Sequence, residues 1–140
     1  MDITIKKNIE RLSEIKDAFK IFSDPLDMIA YLIDIGKKSH NMNDKEKTDE
    51  NIITGCTSKA WIIVSKLNDE GYSIRTDSDS HIVSGLLYLL SLSVNNQSKE
   101  FINTVDAIDI LNSIGLDGKI TSQRTNGFLS AVQTLKERIN

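Results

Sequence analysis

"HIVSGLLYLLSLSV", residues 81–94, is the stretch that most narrows the fold. Its leucines fall at nearly every angle of a helical wheel, so a helix here has no face to give to water and must be enclosed by other elements. The "DSDS" run at 77–80 offers Asp77 and Asp79 among its cap candidates, because short polar side chains accept the N–H groups that a helix start leaves unpaired. A chain of 140 residues, 39% of them hydrophobic, is long enough to wrap one such helix in a single domain and short for two.

The wrapping elements are legible from periodicity. Ile5, Ile9, Leu12, Ile15, Phe19 and Phe22 recur at helical spacing with Lys and Glu between them, which predicts an amphipathic helix. "SDP" at 23–25 ends it; Ser23 or Asp24 can cap a second helix with Pro25 in its first turn, and Gly36 is expected to stop that helix, giving a span of about 25–35. Residues 37–50 are polar and without period, the pattern of a solvated loop. "NIIT", "KAWIIVSKL" and "YSIRT" are rich in β-branched and aromatic residues, with "NDEG" at 68–71 as a turn, and predict a small antiparallel sheet with Trp61 as a core anchor. Two short helices near 99–104 and 106–114, closed by Gly115, precede a last helix from Thr121 or Ser122, striped by Phe128, Val132, Leu135 and Ile139.

Composition excludes several classes of function. The formal net charge is −3, with 17 basic and 20 acidic residues interspersed, so no broad positive field attracts nucleic acid or an anionic membrane. No apolar run approaches the length of a membrane span, and "MDITIKKNIERLSEIKDAF" lacks the apolar region of a secretory signal. A single cysteine cannot build an internal disulfide framework, which points to a free thiol in a reducing cytoplasm.

That cysteine is Cys56, in "ENIITGCTSKAWIIV". A free cysteine is more often a small buried hydrophobe than a reactive group. Gly55 before it marks a tight turn between strand-like runs, a setting in which backbone N–H groups can favour the nucleophilic thiolate. One cysteine with His40 and His81 is too few ligands for a zinc or iron–sulfur site, and a cysteine hydrolase would need one of those histidines beside Cys56. Asp77 and Asp79 could form an acid or metal pair, although helix capping is the commoner role of such residues before an apolar run. No glycine-rich nucleotide or dinucleotide fingerprint is present.

"NIITGCTSKAW" resembles the "N-x-x-x-GC-x-S-x-x-W" signature of SufE-type sulfur acceptors, and "DSDSHIVSGLL" resembles the "DSD-x-x-I-V-x-G-L" that follows it in that family. "FSDPLDMIAYLIDIGKK" is similar to the family's "Y-L-I-x-x-G-K" region and "ITSQRTNGF" to its "L-T-x-x-R-x-x-G", so the likeness runs in register from about Phe19 to Arg138. Departures are local. Ser84 stands where a lysine is common, Thr57 replaces a frequent glutamine, and "KKSHNMNDKEK" lacks the usual proline and leucines.

The resemblance implies an α+β, SufE/NifU-like fold over residues 1–140, with helices covering a three-stranded antiparallel sheet and the cysteine on a loop at one end. It implies that Cys56 accepts sulfur from the persulfide of a SufS-like cysteine desulfurase and passes it to a SufBCD-like iron–sulfur scaffold, as a cytoplasmic monomer or weak homodimer. Pyridoxal phosphate then belongs to the desulfurase, and this chain carries no cofactor or metal of its own. Gly55, Ser58, Asp77, Asp79 and Arg124 fall in the matched motifs and are expected to support Cys56. A scaffold of related fold needs several cysteines to hold iron, whereas this chain has one, which favours carrier over scaffold. The alternatives are a thiol-dependent hydrolase or transferase using Cys56 as nucleophile, and an interaction domain in which the cysteine is structural.

Overall fold

The fold was obtained as a computed structural model, which describes residues 2–68 and 71–140. Helices α1 (Ile3–Ile21) and α2 (Pro25–Lys38) lead to a 3-10 turn at Asp49–Asn51. Strands β1 (Ala60–Lys66) and β2 (Tyr72–Ser78) follow, then helices α3 (His81–Val94), α4 (Lys99–Thr104), α5 (Ala107–Ser113) and α6 (Ser122–Ile139). Two residues of the expected "NDEG" turn, Asp69 and Glu70, lie outside the described residues.

The all-round apolar segment is the centre of the molecule. α3 is buried at Val83–Leu87, Leu89–Leu92 and Val94, and it packs against α1, α2, β2 and α6. Its C-terminus is stitched to the sheet: Asn96 takes the left-handed conformation with φ 65°, and the Asn95 side-chain amide both accepts from Ile74 N–H and donates to Ile74 O. These contacts blunt the outer edge of β2, which among the described residues has no third strand beside it.

Gly36 does not stop α2. The helix runs on to Lys38, and Gly36 instead allows α2 to cross α3 at close range, since a Cβ there would lie 1.8 Å from His81 O. Gly85 is its counterpart on α3, where a Cβ would lie 2.5 Å from Leu32 O. The pair brings two backbones together, a demand that a sequence-level stop signal imitates.

The sheet has two strands rather than the expected three. β1 and β2 pair antiparallel from Ala60↔Ser78 to Lys66↔Tyr72, while "NIIT" contributes only the bridge Ile52↔Trp61 and the bond from Ile53 N–H to Ala60 O. The 3-10 turn stops just before Ile52 and the Gly55 turn follows, so the extended run is too short for a ladder. Where a ladder would continue, the Arg138 guanidinium donates to the carbonyls of Ile62, Glu50 and Ile52 at 2.8, 3.0 and 3.3 Å. A side chain from α6 thus replaces strand pairing.

Residues 37–50 form more than a solvated loop. Met42 is buried, Arg75 of β2 donates through Nη1 to Asn41 O and to Glu46 Oε1, and its Nη2 also binds Glu46 Oε2. The Arg75 hydrogen bonds hold the Glu46 carboxyl below the usual glutamate range. Paired charges give this polar segment a fixed path along β2.

Candidate functional site

Cys56 lies in the turn between the Ile52–Ile53 bridge segment and β1. Gly55 has φ 83°, a conformation that L side chains rarely adopt, and this reverses the chain so that Cys56 faces α6. The thiol is half-buried and packs against the hydrophobic core. Its nearest neighbour on α6 is Gly127: a Cβ there would lie 3.0 Å from Cys56 Sγ. Gly55 in turn lies over Ser130, where a Cβ would meet Ser130 Oγ at 2.6 Å. The Gly55–Cys56 dipeptide is therefore laid along one face of α6, since positions 127 and 130 are neighbours one turn apart.

The loop's exit is pinned by the "DSDS" junction. Ser78 Oγ donates to Lys59 O at 2.8 Å and Asp79 N–H donates to the same carbonyl at 3.0 Å, so the end of the cysteine loop hangs from the strand-to-helix corner. Ser84, at the position where the family commonly has lysine, donates to Ser78 O and closes that corner from the helix side.

Neither aspartate caps α3. The cap is Ser80, whose Oγ accepts from Val83 N–H. Asp77 has a side chain with 0% exposure, and its Oδ1 accepts from Ser78 N–H at 2.8 Å and from the His40 ring at Nδ1. Lys47 Nζ approaches Oδ2 at 3.5 Å while lying 5.3 Å from the centre of the Trp61 ring. A carboxylate taken out of water needs such partners, and the segment after α2 supplies both side chains. Asp79 is exposed and contributes through its backbone. The run reads as a cap box in sequence; Asp77 departs from that reading because β2 continues through Ser78 and turns the carboxylate inward.

Arg124 stands three residues before Gly127, hence on the same face of α6 and one turn nearer its N-terminus. Its N–H completes the Thr121 cap, and among the described residues its guanidinium has no ion-pair partner. Ser58 is half-buried in the loop itself. Cys56, Gly55 and Arg124 are thus gathered on or beside α6, Ser58 stays in the loop, and Asp77 acts behind them, through the junction. His40 is engaged by Asp77 and its ring lies against His81 at 5.6 Å, and among the described residues neither histidine hydrogen-bonds the thiol. Among the same residues no helix is long and apolar enough to cross a membrane.

Gly127, Lys47, Ser130 and Arg138 all shape this site, and nothing in the sequence alone singles them out for it; His40, a candidate neighbour of Cys56 in the sequence, joins it instead through Asp77. The glycine of "ITSQRTNGF" is visible as a motif position, but what it touches is set by a contact 71 positions away, between residues 56 and 127. Arg138 reads as an ordinary basic residue in the last turn of a helix.

Residues 13–139 match the SufE family, described as an Fe-S metabolism associated domain. A SufE-like protein of Rhizobium etli is 33% identical over 129 residues, covering 90% of this chain and 87% of its own length. One of Rhizobium meliloti is 32% identical over 128 residues, covering 89% and 91%, and one of Haemophilus influenzae is 27% identical over 110 residues, covering 79% and 87%. The solution structure of a hypothetical protein from Thermus thermophilus shares the fold with a TM-score of 0.68 at 15% identity, over 91% of this chain and 92% of that one. The chain belongs to the SufE family, with a domain associated with Fe–S metabolism.

Proposed function

We propose that Cys56 is a sulfur acceptor, taking sulfane sulfur from the persulfide of a SufS-like cysteine desulfurase, raising that enzyme's turnover and delivering the sulfur to a SufBCD-like scaffold for iron–sulfur cluster assembly. The observation that supports this reading is the seat of the chain's one cysteine: half-buried, on a turn that the left-handed Gly55 makes, against α6, within a SufE domain. Core packing alone does not require a thiol at a positive-φ turn.

The transfer is a thiol exchange with sulfur as cargo. The Cys56 thiolate attacks the outer sulfur of the donor persulfide, a new S–S bond forms at Cys56, the donor's S–S bond breaks, and the donor cysteine leaves as thiolate. The proton on the outer sulfur travels with it, and no net oxidation occurs. Pyridoxal phosphate stays on the desulfurase, so this chain contributes the thiol and its surroundings. Gly55 sets the turn, Ser78 Oγ and the Asp79 N–H hold the loop's exit at Lys59 O with Asp77 buried behind them, and Ser58 lies within the loop itself. Arg124 puts a cationic residue on α6 one turn before Gly127, where an anionic persulfide is favoured. A reducing cytoplasm keeps the thiol free for this exchange.

The test mixes the protein with a SufS-like desulfurase and cysteine, follows sulfide release, and weighs the intact protein under non-reducing conditions. Stimulated release and one added sulfur atom on Cys56 are expected, both lost in Cys56→Ala. A Cys56→Ala variant that stimulates as well as wild type would overturn the acceptor reading.

A further inference from the structure

We infer that Gly127 is a positioning residue for Cys56, the bare patch on α6 that sets how deeply the thiol lies. The inference deepens, and rests on, the reading of Cys56 as the sulfur-accepting group. An ideal Cβ at Gly127 would lie 3.0 Å from Cys56 Sγ, 3.6 Å from its Cβ and 3.8 Å from its Cα, so the nearest atoms all belong to one residue. Gly127 is buried inside an 18-residue helix, where glycine is less favourable than alanine, and its φ lies outside the left-handed range. Neither backbone conformation nor helix propensity calls for glycine here. The contact with Cys56 does.

The register of the loop decides what a methyl group at 127 would move. Gly55 lies beside Ser130, with no room for a side chain between them, and Lys59 O is held by Ser78 and Asp79, so the loop's exit is fixed. A methyl group at 127 makes Cys56 Sγ give way, and the thiol side chain yields more readily than the held loop exit, by rotation about χ1 away from α6. Gly127 thereby holds the thiol, and any sulfur it carries, in the half-buried position, and Gly127→Ala turns it outward.

The experiment follows alkylation of Cys56 by iodoacetamide in the full chain, read by intact mass, and melting of Gly127→Ala in the wild-type and Cys56→Ala backgrounds. Alkylation of Gly127→Ala is expected to be faster by roughly fivefold or more as the thiol becomes accessible. In Cys56→Ala, the same substitution is expected to raise Tm, because the helix gains alanine without the clash; with Cys56 present the gain is smaller or reversed. If Gly127→Ala alone folds poorly, rescue by Cys56→Ala supports the inference and absence of rescue overturns it. An alkylation rate within about twofold of wild type, or equal Tm shifts in the two backgrounds, overturns it as well. A merely structural glycine would change Tm and leave alkylation alone. No desulfurase takes part, so failure here is distinct from failure of the acceptor reading, which shows only in sulfide release and the added sulfur atom.

Discussion

Asp77 and Asp79 carry the same charge two positions apart and live under opposite conditions. Asp77 is buried with its Oδ1 shared by Ser78 N–H and the His40 ring, and with Lys47 beside Oδ2; Asp79 is in water. Removing the Asp77 charge leaves His40 and Lys47 without the group they converge on, although both are partly exposed and can rehydrate, so Asp77→Asn is predicted to cost about 2 kcal/mol. Asp79→Asn is predicted to stay within about 0.5 kcal/mol, as expected of an exposed side chain outside any network. Urea unfolding of the two variants measures the contrast. Equal losses would mean that the junction does not depend on the buried carboxylate, and its assigned part in holding the Cys56 loop would fall with it.

Among the elements, the segment between α2 and the 3-10 turn has a pH-dependent attachment. Glu46 is held below its usual range chiefly by its hydrogen bonds to Arg75, and then by Asn43 N–H. A carboxyl whose folded pKa is depressed contributes stability that is fully present above the unfolded value, about 4.3 for glutamate, and is lost as pH falls through the lower folded value. Acidification is therefore predicted to loosen residues 39–48 from β2, with backbone amides there gaining hydrogen-exchange rate, relative to the core, as pH drops below about 4. In Glu46→Gln this acid-induced step should vanish; its persistence would assign the step to another group. The same segment shows where sequence reading runs out. The helices other than the end of α2, the Gly55 turn, the Gly115 stop and the Thr121 start follow from periodicity and cap chemistry, and the site's centre from a lone cysteine in a motif. A polar run without period carries no sign of the partner it will meet, and the Arg75–Glu46 pair spans 29 positions. Arg138 replacing a third strand is hidden for the same reason, since its three carbonyl partners become neighbours only once α6 is docked.

At the scale of the whole molecule, the order of unfolding follows from where α3 lies. It touches α1, α2, β2 and α6, so detaching any of them uncovers leucines with no alternative cover, and the transition is predicted to be a single one. Trp61 is the only tryptophan and is 6% exposed, which makes its fluorescence a reporter of the sheet, while far-UV circular dichroism reports the helices. The two probes should give coincident urea curves, and Cys56→Ala should keep them coincident because the thiol is only half-buried. Below the global transition one element stands apart. α1 buries Ile15 and Phe19 alone, both in its C-terminal half, whereas Ile3 and Ile9 are exposed at 68% and 49%. With little apolar area to lose, the first turns of α1 can open while α3 stays covered, so amides from about residue 6 to 11 are predicted to exchange by local opening, well ahead of those of α3. Hydrogen exchange in the native state measures this gradient. Protection of the first α1 turns equal to that of α3 would show that this end is held by contacts stronger than its burial, and separated fluorescence and dichroism curves would remove α3 as the common support of the fold.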